Sequence, residues 1–135
     1  MANIQLQGVY QALQRRFSVE GAGLDRFESD FLDSVNYATR DINRRCDLST
    51  RIDMIASITD TVALSDEYLD VLARVVAVNM MDFGQRPSAG EEAGMEADKQ
   101  SLPVLIDSIR SDILNQAIAA DTDDESDYVA LGGLG

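Results

Sequence analysis

Histidine is absent from the chain. Its absence removes the commonest general base near neutral pH and the commonest metal ligand, and it leaves a serine or cysteine nucleophile without its usual activator. Cysteine is nearly absent as well. With Cys46 alone, no intramolecular disulfide can form, and a disulfide-stapled secreted scaffold is excluded. A zinc-type site would need thiolates or imidazoles that the sequence does not supply, so neither a metal nor a cofactor is expected. Lysine occurs once, at Lys99, beside ten arginines and against 24 acids, for a net charge of −13. Affinity for duplex DNA draws on cations that displace phosphate counterions, which makes this chain a poor general DNA binder. Nowhere does an apolar run approach the roughly eighteen residues of a membrane helix, and the opening MANIQLQGVYQALQRRF lacks the basic-then-apolar order of a signal peptide. The expectation is a protein made in the cytoplasm, with no membrane partner.

What is present is enough apolar material to fold. Hydrophobic residues are 45% of 135, normal for a single globular domain with one core. The acids are unevenly placed: residues 91–135 hold eleven of them against Lys99 and Arg110, whereas residues 1–50 hold seven against six arginines.

The apolar spacing predicts a mainly α protein, a small bundle of about four helices. Ile4, Leu6, Val9, Tyr10, Leu13 and Phe17 place a first helix over residues 4–17. After the break at 21–23, Asp25 and Glu28 resemble a capping box. Phe27, Phe31, Leu32, Val35, Ala38, Ile42 and Cys46 then form one stripe of a helix over 26–46. Between 50 and 64 the pattern changes to alternation (Ile52, Met54, Ala56, Ile58) with many β-branched residues, which predicts a short β-hairpin or extended loop. Ser65 offers an N-cap, with Asp66 and Glu67 at the positive helix end. The helix to Phe83 is apolar on nearly every side and should be the most buried. Gly84 is the C-cap expected there. Ser88 and Glu91 could cap a further helical segment carrying Leu102, Leu105, Ile106, Ile109, Ile113 and Ala117, with a break or kink near residue 102, beside Pro103. The organisation is a helical domain over 1–120 and an extended, acidic, glycine-ending C-terminal tail over 121–135.

Carboxylates are abundant, but abundance names no acid–base pair. Asp121, Asp123, Glu125 and Asp127 imitate a calcium loop, yet Ser126 stands where its sharp turn needs glycine, which favours a solvated acidic linker. The terminal Gly132-Gly133-Leu134-Gly135 is followed by no helix that could hold a phosphate. Arg40, Arg44, Arg45 and Arg51 are the basic cluster. They suit the carboxylates of a partner or a neighbouring copy, and equally a solvated face in which Asp41 pairs with Arg45. Ile52, Met54, Ile55 and Ile58 read as hairpin core or as an exposed interface. Tyr128, Val129, Leu131 and Leu134 make the tail too apolar for a purely solvating end, so it should bind something.

Taken in order, the phrases FESDFLDSVNYATRDINRRCD and IASITDTVALSDEYLDVLARVVAVNMM resemble the head-to-tail connector, or adaptor, family of tailed bacteriophages. The resemblance covers residues 24–118. It rests on the Asn36-Tyr37-Ala38 helix, the Ile/Thr/Asp segment, the Leu64–Tyr68 cap and the small-apolar helix. It implies a structural virion component at the head–tail interface and no enzyme. Such adaptors form a ring, commonly of twelve copies, below the portal protein, and link it to the next tail component while DNA passes through unbound. On that reading Tyr128, Val129, Leu131 and Leu134 anchor the tail to the portal. The 51–63 loop, with Ile52, Met54, Ile55 and Ile58, meets a neighbouring subunit or the next ring, and the arginine cluster lies between subunits. The alternatives are an acidic inhibitor that mimics DNA, another small phage assembly factor such as a tail-assembly chaperone, and an unrecognised carboxylate enzyme.

Overall fold

A computed structural model of the chain describes residues 3–19, 23–46 and 51–114. Within them the protein is mainly helical, as the apolar periodicity predicts. The order is β1 (Asn3–Gln5), α1 (Leu6–Gln14), α2 (Leu24–Cys46), β2 (Thr61–Ser65), a 3-10 turn (Asp66–Tyr68), α3 (Leu69–Asp82), α4 (Glu92–Gln100) and a helix, α5, over described residues 102–114.

The stripe on α2 packs as its spacing requires. Phe27, Phe31, Val35, Ala38, Ile42 and Cys46 are buried, and Leu32 is partly covered. Against them α1 brings Tyr10, whose ring centroid lies 4.9 Å from Phe31 and 5.8 Å from Phe27, while Phe17 stands edge-on to Phe27 at 5.8 Å. The apolar α3 fills the centre of the fold, with Leu72, Val75, Val76, Ala77, Val78 and Met80 buried. It packs on α2, α4 and α1, which explains apolar residues on more than one of its sides.

Helix ends follow local chemistry. At the C-terminus of α3, Gly84 adopts φ +96, the Gly84 N–H donates to Met81 O (2.9 Å) and the Gln85 N–H donates to Met80 O (3.0 Å). This is the paired Schellman closure that a glycine one residue past the C-cap permits. The break near residue 102 is also present. Gln100 ends α4, Ser101 leaves helical geometry at φ −98, ψ 7, and the Leu105 N–H donates to Ser101 O (3.0 Å) as α5 begins with Pro103 in its first turn.

Four expectations are corrected and one is narrowed. Residues 3–5 are a strand, so helix 1 begins at Leu6. It ends at Gln14, short of Phe17, which instead forms a bridge with Pro87. Of the two forms expected for 50–64, the described residues 51–60 take the extended loop rather than the hairpin. Only Thr61–Ser65 is a strand, and its antiparallel partner is β1, with Ile4 opposite Val62, Gln5 opposite Thr61 and an irregularity between Asn3 and Ile4. Ile4 and Val62 are both fully buried, so pairing β1 with β2 places apolar side chains of both strands in the core. Asp25 lies inside the first turn of α2, because that helix starts at Leu24. The 3-10 turn displaces the start of α3 from Ser65 to Leu69, and the turn at Ser88–Glu91, with Gly90 at φ +88, displaces the start of α4 to Glu92.

Candidate functional site

An extended arm over residues 51–55 lies along α2, and two asparagines attach it. Asn43 accepts from the Ile52 N–H at 2.7 Å and donates to Ile52 O at 2.9 Å. Asn36 repeats the arrangement on Ile55, at 2.9 and 3.0 Å. Each carboxamide replaces the peptide group of a missing neighbouring strand, offering a donor and an acceptor side by side. The spacing makes this work. Seven residues on a helix advance roughly 10.5 Å at 1.5 Å each, and the three steps from Ile52 to Ile55 cover roughly 10 Å of extended chain. The arm therefore runs antiparallel to α2 with both attachments in register.

Beyond the arm the chain turns sharply, and Asp60 holds the turn: its Oδ2 accepts from the N–H groups of Ala56 (2.8 Å) and Ser57 (3.0 Å). The arm thus has fixed geometry at both ends. Ile52 and Ile55 point inward and are buried, Ile58 is partly covered, and Met54 is 81% exposed. Of these four positions, which alternation alone could not sort, three supply core and one supplies surface.

Between arm and helix lies an open groove of about 580 Å³, lined by Asp33, Asn36, Tyr37, Arg40 and Asn43 from α2 and by Arg51, Asp53 and Met54 from the arm. Tyr37 is half-exposed. Its ring stands 5.8 Å from Phe83, and the Arg40 guanidinium sits 4.6 Å over it, an exposed cation–π contact worth about 0.5–1 kcal/mol. Arg44 pairs with Asp41 at 2.9 Å, three residues back, so Arg44 rather than Arg45 takes that partner. Among the described residues, no carboxylate approaches Arg40, Arg45 or Arg51 closely enough to form an ion pair. The structure brings Arg40 and Arg51 to one groove, with Arg44 and Arg45 further along the same helix.

Elsewhere the titratable groups are structural. The Arg74 guanidinium places Nε (3.0 Å) and Nη2 (2.6 Å) on one oxygen of buried Asp98, joining α3 to α4, and this hydrogen bond raises the arginine's already high pKa. Burial, reinforced by Asp107 and opposed by Arg110, pushes the Cys46 thiol up, away from reactive thiolate. Burial likewise raises Tyr10, helped by Glu28 and Asp25. No three His, Cys, Asp or Glu side chains gather as metal ligands would among the described residues, and no helix there is long and apolar enough to cross a membrane.

Tyr128, Val129, Leu131 and Leu134 lie outside the described residues, as does the rest of the tail. Sequence reasoning missed the attachments themselves. A pair of asparagines seven apart on a helix, followed by an extended segment of matching length, is a signal that could have found them. Compared with known protein families, curated proteins and solved structures, the chain finds no match.

Proposed function

We propose that this protein is a structural assembly component, a head-to-tail adaptor that joins copies of itself, a portal ring and the next tail component, and that it turns over no substrate. The observation that carries the reading is the pinned arm. Two side-chain carboxamides hold residues 51–55 rigidly on α2 and leave Met54, Tyr37, Arg40 and Arg51 displayed beside a groove. A pre-organised surface of apolar and charged side chains loses little conformational entropy on binding, which suits protein recognition. The resemblance to phage adaptors supplies the partners. The net charge of −13 suits a ring that lets DNA slide past, and the apolar residues among the tail's acids suit an anchor that reaches a portal.

The experiment is a binding assay against the portal ring of the same phage, with the full chain and a Δ121–135 form. The full chain binds, and the truncated form keeps its circular-dichroism spectrum while losing affinity. A full chain that ignores the portal overturns the adaptor reading. Undiminished binding by Δ121–135 overturns the tail's part in it.

A further inference from the structure

We infer that, before assembly, residues 121–131 of the tail dock in cis into the groove between α2 and the arm, with acids on Arg40 and Arg51 and Tyr128 against Tyr37 and Met54. The inference rests on the adaptor reading for its purpose, because the segment proposed to grip the portal would then be covered until the portal displaces it. Its test needs no portal.

Charge complementarity selects the occupant. Residues 121–127 carry five acids and no base, whereas the groove offers two arginines with no ion-pair partner among the described residues. Charge-assisted hydrogen bonds from arginine to carboxylate are the strong kind, and Asp33 and Asp53, which also line the groove, would repel a segment acidic throughout but tolerate one that turns apolar at Tyr128. The apolar half has its own match: Met54, 81% exposed, and the half-exposed ring of Tyr37 both line the groove.

Reach is sufficient. Cys46, at the end of α2, contacts Ile106 O through Sγ at 3.8 Å, so α5 passes the C-terminal end of the groove helix. Leu114 lies eight residues further on, roughly 12 Å at helical rise, and Asn36 lies roughly 15 Å up α2 from Cys46. The longest path from Leu114 to the groove is then about 35 Å, while the fourteen residues to Tyr128 extend to about 46 Å. A tether of this length gives an effective concentration in the millimolar range, so the groove of the same molecule outcompetes that of another at micromolar protein.

Chymotryptic cleavage after Tyr128 in the full chain, followed by mass spectrometry, reads the docking directly. Cleavage should be slow in the native chain and about tenfold faster in the Arg40→Glu/Arg51→Glu double variant. It should be similarly faster when Asp121, Asp123, Asp124 and Asp127 become Asn and Glu125 becomes Gln, and again in 0.5 M salt. Both arginines are exposed, so circular dichroism should show an intact fold. Equal rates in all forms overturn the inference. A native rate that falls as protein concentration rises overturns docking in cis, since the groove is then filled by another copy's tail.

Discussion

The arm and α4 are both fastened to the central helices, but by opposite chemistry. The arm is held to α2 by neutral amides, Asn43 on Ile52 and Asn36 on Ile55; α4 is held to α3 by a charged pair, Arg74 on Asp98. The difference follows from what each segment must satisfy. An extended arm without a strand beside it has backbone donors and acceptors facing a helix that has no spare partners, and only side chains carrying both functions can replace a strand. A helix has already satisfied its own backbone. α4 needs only to be fixed in rotation and register, and the partly buried Arg74–Asp98 pair towards its C-terminal end does that, beside the exposed pair of Lys99 with Asp82 at 3.4 Å. The two fastenings should therefore fail differently.

The largest loss is expected at Asn43. Truncating it to alanine leaves both the N–H and the carbonyl of buried Ile52 unpaired, and leaving a buried polar group without its partner costs about 1–3 kcal/mol each before relaxation. Thermal or urea unfolding should show Asn43→Ala about 2–4 kcal/mol less stable. Asn36→Ala should lose about half as much, because water can reach the part-buried Ile55 end. Asn43→Asp sharpens the point. It keeps shape and one hydrogen bond but sets a carboxylate oxygen against Ile52 O, so it should be no better than alanine. A stable Asn43→Asp protein would show that the amide's donor does not matter.

Breaking the charged fastening should cost less. Asp98 is buried, but the Arg74 side chain is 37% exposed and has Asp70 within 3.9 Å, so water and a second carboxylate compensate for the lost partner. Asp98→Ala should therefore destabilise by about 1–3 kcal/mol, below the range for fully enclosed pairs. Hydrogen exchange would distinguish the two fastenings. Asp98→Ala should loosen the amides of α4 while leaving the arm protected, and Asn43→Ala should do the reverse. Matching exchange in the two variants would mean that the fold opens as one unit and that the fastenings are not independent.

How far the sequence discloses these features depends on how local their causes are. The α2 stripe, the Gly84 closure and the break beside Pro103 are each determined within a few residues, and each is legible. The partner of β2 is not, because Ile4 lies some sixty residues away, and a three-residue strand followed at once by the stripe of α1 reads as one helix. The alternation of residues 52–58 is real, yet it marks an arm leaning on a helix. Periodicity reports which residues turn inward but not what they turn towards. Asn36 and Asn43 are silent for the same reason: on a helix they read as ordinary polar positions until the arm is placed beside them. In the candidate site, the arginines and Met54 are legible as residue types, but Tyr37 and the groove need the arm's position.

The smallest effect marks a polar group that fastens nothing. Ser34 is fully buried where α2 meets α3, and its hydroxyl has no hydrogen-bond partner, although its carbonyl accepts from Asn79 Nδ2 at 3.2 Å. An unsatisfied hydroxyl gives up water without recovering a bond, while its removal leaves only a small void. The two terms oppose each other, so Ser34→Ala should change stability by no more than about 0.5 kcal/mol, with a slight gain favoured. The Asn79 contact is to backbone and survives the substitution. A loss above about 1.5 kcal/mol would show that the hydroxyl makes a bond in solution, and α2 and α3 would then share a polar fastening of their own.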